Sequence, residues 1–313
     1  MAEKATDRVI TVDCQYMQPA HAAAYILPAD DQVALVENNT SRAVPLILNG
    51  LSNAGMAPEQ VRYIIITHLH FDHAGGTSAL VRACPNAQVL CHPVAVRHLV
   101  DPSRLVASAK KVYGEARFAE LYGEIEPIAA QRIRAVEDSE TLVFGSRTLR
   151  FLHTPGHAKH HMTIHDLETN GMFTGDVFGI MHVTPLRSPD PVLIFSSAPT
   201  DFDPDQARQS IRRIRASGIE RVYLTHYGEY TDLDKGEAQL LESIADFERI
   251  MAQAAASGLE GDALQQFCER EVRSAFAAMF ERWHAPMSDE DWAWLEDDIG
   301  INAMGLAFRA ARD

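Results

Sequence analysis

Cysteine is scarce, and the four present (Cys14, Cys84, Cys91 and Cys268) are scattered with no C-x-x-C pair among them. This excludes a paired-thiolate metal site, argues against a disulfide framework, and suits buried thiols in a reducing compartment. Basic residues are also few, 28 Lys and Arg against 43 Asp and Glu, for a net charge of −15. Such a balance opposes attraction to a phosphate backbone, so no nucleic-acid partner is expected. No stretch approaches the ~18 consecutive apolar residues of a membrane span, so no membrane partner is expected either. The opening residues, Met1-Ala2-Glu3-Lys4-Ala5-Thr6-Asp7-Arg8, hold no apolar segment of the signal-peptide kind, which makes the cytoplasm the expected compartment. Also missing are a G-x-S-x-G elbow, a P-loop, a low-complexity tract and a strong internal repeat.

What the chain does have is an ordinary 46% share of hydrophobic residues over 313 positions, enough for a sizeable core, and fourteen histidines. Residues 8–14, 23–27, 32–37, 61–67 and 87–92 read as strands by apolar runs or alternation, and residues 44–53 as a helix ending near Gly55. Residues 94–134 turn helical, with Leu99, Val106, Val112, Phe118 and Leu121 among polar neighbours. Strands return at 148–153, 162–165 and 172–174, the last two joined by an Asn170-Gly171 turn. Asp203-Pro204 opens a helix that Gly218 closes, and 222–225 is a last strand.

Beyond Asp234 only helical spacing remains: Leu240 to Ala254, then Leu264 to Trp283, then a capped start at Ser288 before Trp292 and Leu295. The expected organisation is a mixed α/β catalytic domain over 1–234, with a helical insertion at about 97–134, and a helical extension over 235–313 packing on the core. An unpaired apolar stripe on that extension would serve a homodimer.

The chemistry is concentrated in Thr67-His68-Leu69-His70-Phe71-Asp72-His73-Ala74-Gly75-Gly76, directly after the buried strand. In an extended segment, side chains two apart point the same way, so His68, His70 and Asp72 can face one pocket. His73 comes round at a bend, and the glycines allow tight backbone as a helix begins. Imidazole and carboxylate donors at this density suit zinc first, with iron or manganese as alternatives.

This segment resembles the H-x-H-x-D-H signature of the metallo-β-lactamase-fold superfamily. The rest of the pattern follows in order as Thr154-Pro155-Gly156-His157, Phe173-Thr174-Gly175-Asp176 and Leu224-Thr225-His226-Tyr227-Gly228, each at the end of an expected strand. The resemblance covers about residues 8–230 and implies an αββα sandwich with two divalent metal ions. It implies that His68, His70 and His157 hold one ion, that Asp72, His73 and His226 hold the other, and that Asp176 bridges them. Two ions ~3.5–4 Å apart would share a water and lower its pKa to about 7, giving a bridging hydroxide as nucleophile. Asp72 would then carry a proton from that water to the leaving group.

His161 resembles the second histidine of the family's T-P-G-H-x-x-G-H pattern and is assigned a supporting role. His182 would edge the pocket, and Tyr227 could donate to an oxyanion, although packing is the simpler reading. The chain departs from the family where many relatives end an early strand in Asp-Thr-Gly, for here stands Val36-Glu37-Asn38-Asn39-Thr40. It departs again in Thr-His-Tyr-Gly, where glyoxalase II has Gly-His-Gly. The helical C-terminal layout is similar to that of bacterial quinolone-signal response proteins.

The function implied is hydrolysis of an ester-like bond in a small molecule. A thioester ranks before a lactone or phosphodiester, since a thiolate leaves without a strong acid. Hydrolysis of β-lactams ranks low, because such enzymes usually carry export signals. The alternatives are a mononuclear-iron, sulfur dioxygenase-like oxidoreductase and a non-catalytic metal-binding regulator.

Overall fold

A computed structural model describes residues 8–181, 190–197 and 201–312. Contacts divide the chain into two units, one of residues 1–153, 160–175 and 220–229, the other of 154–159, 176–219 and 230–313.

The first unit is built on two six-stranded sheets. One runs β1 (Ile10–Asp13), β2 (Ala23–Ala29), β3 (Gln32–Val36), β4 (Val61–Ile65), β5 (Gln88–Cys91) and β6 (Ile133–Ala135) in that spatial order. Its first three strands pair antiparallel and the rest parallel. The other sheet begins with β7 (Thr141–Phe144), β8 (Arg147–His153), β9 (Met162–Asp166) and β10 (Gly171–Gly175) as an antiparallel meander. The chain then enters the second unit for β11 (Ile180–Met181) and β12 (Leu193–Ile194), and later returns for β13 (Arg221–Leu224) and β14 (Gly228–Tyr230). β13 adds parallel to β10, giving the order β14-β13-β10-β9-β8-β7.

The burial of β2 shows why the first sheet reads as continuous apolar runs rather than alternation. Ala24 and Ile26 face one apolar cluster, with Ile47, Leu51, Ile64 and Leu80. Ala23, Tyr25, Leu27 and Ala29 face the other, with Phe151, Ile164, Phe173 and Tyr223 of the second sheet. The period of two therefore feeds both faces at once. Each large side chain so buried contributes about 1.5–3 kcal/mol. Polar ties also join the sheets: Tyr25 donates its hydroxyl to the Leu224 carbonyl, and Arg147 donates Nε to Pro28 O at 2.7 Å. Arg147 also pairs with Asp166, both fully buried.

Helix α1 (Val44–Asn53) matches its expected bounds. The short α2 (Phe71–Ala74) and α3 (Thr77–Ala83) follow β4. The helical stretch expected over 94–134 is broken. It consists of α4 (Val96–Val100), α5 (Ser103–Tyr113) and α6 (Glu115–Tyr122), separated at Asp101-Pro102 and at Gly114, which has φ +78°. Proline lacks the helical N–H, and a positive φ cannot continue a right-handed turn. The α-helices end at Gly123, a 3-10 turn follows at Ala130–Arg132, and β6 occupies residues expected to be helical.

In the second unit α7 (Pro204–Ala216) starts where expected, with the Asp203 carboxylate accepting from Gln206 N at 3.0 Å. It is followed by α8 (Leu233–Ser257), α9 (Gly261–Arg282), α10 (Asp289–Trp294) and α11 (Glu296–Ala310). The Ser288 capping box forms, but the single last helix expected there is two, broken at Leu295. The apolar stripes meet inside this unit, where Phe202, Phe247, Phe276 and Phe280 form a chain of ring contacts. The α/β class, with facing sheets and a helical C-terminal region, is as expected. Among the described residues no helix is long and apolar enough to cross a membrane.

Candidate metal centre

The motif leaves β4 through Ile66 and Thr67, and two neighbours hold it there. Thr67 N–H donates to Glu37 Oε1 at 2.7 Å, and Met162 N–H donates to the Thr67 carbonyl at 2.9 Å. The Thr67 hydroxyl contacts His68 Nδ1 at 3.0 Å, and His68 Nε2 lies 2.9 Å from His70 Nδ1. The extended segment ends at His70. Asp72 and His73 stand on α2 instead, so the expectation that Asp72 continues the strand alternation gives way to a helical turn.

That turn is clamped by the loop after β3. Asn38 N–H donates to His73 O at 3.0 Å, Gly76 N–H to Asn39 O at 2.9 Å, and Asn39 Nδ2 to Asp72 O at 2.8 Å. Gly75 and Gly76 permit the approach. A Cβ on Gly75 would lie 2.4 Å from Phe71 O, and one on Gly76 2.8 Å from both Asn38 O and Thr40 O.

Within the first unit, Asp72, His73 and His226 each offer a ligand atom within 4.8 Å of the others. Asp72 Oδ2 is 3.5 Å from His226 Nε2 and 3.8 Å from His73 Nε2. The His68 ring lies 4.4 Å from that of His70 and 4.1 Å from that of His73. Both outer nitrogens face oxygen acceptors: His73 Nδ1 pairs with a carboxylate oxygen of Glu37, and His226 Nδ1 donates to the His21 carbonyl at 2.8 Å. Each ring is therefore held as the Nδ1–H tautomer, with its Nε2 lone pair turned toward Asp72. Two imidazoles so presented beside a carboxylate fit a divalent transition ion.

The second unit holds the other motif residues. His157 is fully buried; its Nδ1–H donates to Ser196 O at 2.9 Å and its Nε2 lies 3.4 Å from Asp176 Oδ2. Gly156 keeps this turn tight against α7. Its φ is +134°, and a Cβ there would lie 2.4 Å from Ala207 Cα.

Around the first unit's cluster, His161 is buried with its ring 5.0 Å from that of His68. Gly175 makes room for it, since a Cβ there would sit 2.6 Å from His161 Nε2. Tyr227 packs against the inter-sheet core, and burial pushes its phenol up to about 12. His182 lies outside the described residues. The sequence alone assigns Glu37 no contact and His21 no function. Glu37 is detectable there only as a departure from Asp-Thr-Gly, and the contact of His21 is a backbone carbonyl that no side-chain pattern reveals.

An aromatic group adjoins the motif. Phe71 contacts Phe118 at 5.7 Å and Tyr122 at 5.5 Å between ring centroids, and the Tyr122 and Tyr16 hydroxyls are 3.3 Å apart. Burial, and then the Asp72 charge, raise the Tyr16 phenol above its ordinary range. Burial and the neighbouring His226 push His21 down to about 4.

The sequence profile of the metallo-beta-lactamase superfamily matches residues 21–226. A metallo-beta-lactamase fold-containing protein of Sulfurisphaera tokodaii is 29% identical over 51% of this chain and 58% of its own length. An N-acyl homoserine lactonase of a Bacillus species is 25% identical over 61% of this chain and 64% of its own length. The chain thus spans less than two thirds of either relative. An atrochrysone carboxyl ACP thioesterase of Pseudocercospora fijiensis is 25% identical over 86% of this chain and 73% of its own length. The crystal structure of an archaeal superfamily protein from Sulfolobus tokodaii superposes with a TM-score of 0.65 at 20% identity, covering 95% of this chain and 97% of that one.

Proposed function

The chain belongs to the metallo-beta-lactamase superfamily, and from that premise we propose that it is a metal-dependent hydrolase of an ester-like bond in a small molecule, a thioester before a lactone or phosphodiester. On this reading His68, His70 and His157 would hold one ion and Asp72, His73 and His226 the other, with Asp176 as a further ligand. The observation that carries this reading is the pair of locked tautomers, which present His73 and His226 Nε2 to Asp72. Zinc ranks first for such donors, then iron or manganese. When bound, two such ions supply a water activated near neutral pH and an electrophile for the substrate oxygen.

The chain's own groups do the rest. The Asp72 carboxylate, one quarter exposed, takes a proton and returns it to the leaving group. Glu37 and the His21 carbonyl keep the two imidazoles from turning away. Tyr16, Phe71, Phe118 and Tyr122 offer an apolar wall for an acyl portion and exclude water from it. A thiolate leaving group asks little of a general acid, which suits a site whose acid is one aspartate. The thioesterase relative, aligned over 86% of this chain, supports the same order, and the lactonase relative supports the second choice.

The test is elemental analysis of freshly purified protein beside Asp176→Ala, followed by a thioester, lactone and phosphodiester panel. About two zinc or manganese ions per chain, falling sharply in the variant, with turnover of a thioester, is the expected result. One iron per chain with sulfite production from a persulfide would replace the hydrolase with an oxygenase. No metal in either protein would overturn the reading.

A further inference from the structure

We propose that the C-terminal helices position the metal ligand His157, with Asn302 of α11 as the positioning residue acting through the Ser196–Ser197 backbone. This rests on the metal-site reading above.

Along β12 and the residues just after it, the N–H groups of residues 193, 195 and 197 meet helix side chains, while the carbonyl of Ser196 meets His157. All three of these N–H groups donate to helix side chains. Leu193 N–H donates to Gln239 Oε1 at 2.9 Å and Phe195 N–H to Ser243 Oγ at 3.1 Å, both on α8. Ser197 N–H donates to Asn302 Oδ1 at 2.7 Å, and its hydroxyl reaches the same oxygen at 2.9 Å and Asn302 O at 3.1 Å. Asn302 Nδ2 donates to Asp298 O at 2.8 Å, which settles the amide orientation and leaves Oδ1 for Ser197.

Gln239, Ser243 and Asn302 are all buried, three polar groups on helix faces that are otherwise apolar, and each accepts a hydrogen bond from this one segment. The same segment then presents Ser196 O to His157 Nδ1 at 2.9 Å. A carbonyl held this way fixes both the tautomer and the ring angle of the imidazole, leaving Nε2 for the metal. The helices beyond residue 233, which carry no motif, thereby acquire a role at the site.

The test compares the full chain with Asn302→Leu, Ser197→Ala, His157→Ala and the Asn302→Leu/His157→Ala double variant. Zinc affinity is measured by competition with a chromophoric chelator, cobalt(II)-loaded protein by its visible spectrum, and metal-free protein by imidazole nitrogen NMR. Asn302→Leu is expected to weaken zinc binding about 10- to 100-fold, shift the cobalt spectrum, and mix the His157 tautomers in the metal-free protein. Ser197→Ala should move all three in the same direction by less, and it serves if Asn302→Leu does not fold. In the His157→Ala background the effect of Asn302→Leu on affinity should vanish.

An equal loss of affinity in that background, or a tautomer and spectrum unmoved in a folded variant, would overturn the proposal. A wild-type chain that binds no zinc yet shows the His157 tautomer responding to Asn302→Leu would remove the metal reading and keep the positioning role.

Discussion

Glu37 sits at φ +62° and 1% exposure, with one carboxylate oxygen accepting from Thr67 N–H and the other from His73 Nδ1. An amide has only one acceptor oxygen, so Glu37→Gln must leave one of these donors facing an NH2 group. Zinc affinity is expected to fall about 10- to 100-fold with the fold retained, measured by chelator competition and circular dichroism. His92 supplies a separate residue-scale expectation. Burial, then His153 with its ring 4.2 Å away, and then His160 push its pKa down to about 4 from 6.5. Below 6.5 the unfolded chain takes up a proton that the folded chain refuses, so this group subtracts stability as pH falls from 6.5 toward 4. Urea unfolding of metal-free His92→Gln should show a shallower loss over that window than wild type, and an identical slope would refute the assignment.

At the scale of elements, the Arg147–Asp166 pair joins the ends of β8 and β9, and Arg147 Nε ties them to Pro28 of β2. Asp166→Ala leaves a buried guanidinium without its counter-charge, at a cost of about 3–5 kcal/mol. Chemical denaturation is the readout, and zinc content per folded molecule should not change, since neither residue touches the ligand cluster. Element existence is legible in the sequence wherever burial is periodic: β2, β3, β4 and α7 lie close to where their side chains place them. The stretch over 94–134 reads as one helical region because apolar spacing continues across Pro102 and Gly114, whereas backbone geometry does not. Asp72 reads as part of an extended segment because period-two spacing in H-x-H-x-D is satisfied locally, while α2 is bent into a helical turn by hydrogen bonds from Asn38 and Asn39.

For the whole molecule, the proposed ions would be part of its stability. A ligand that binds only the folded state at a hundred times its Kd adds about 2.7 kcal/mol, so removing zinc with a chelator should lower the unfolding midpoint and readdition should restore it. Scanning calorimetry of zinc-loaded and chelated protein measures both effects, and coincident transitions would argue against tight binding.

The amino-acid sequence alone determined the kind of donors, their order and the strand ends that carry them, because ligand chemistry and apolar period are local properties. Only the tertiary structure decided what holds those donors in place. Glu37 reaches His73 across 36 residues, His21 reaches His226 across 205, and Ser197 meets Asn302 across 105. Two of the acceptors that orient imidazoles, His21 O and Ser196 O, are backbone carbonyls. Every residue has one, so their identity leaves no trace in composition or spacing and emerges only when the chain is folded.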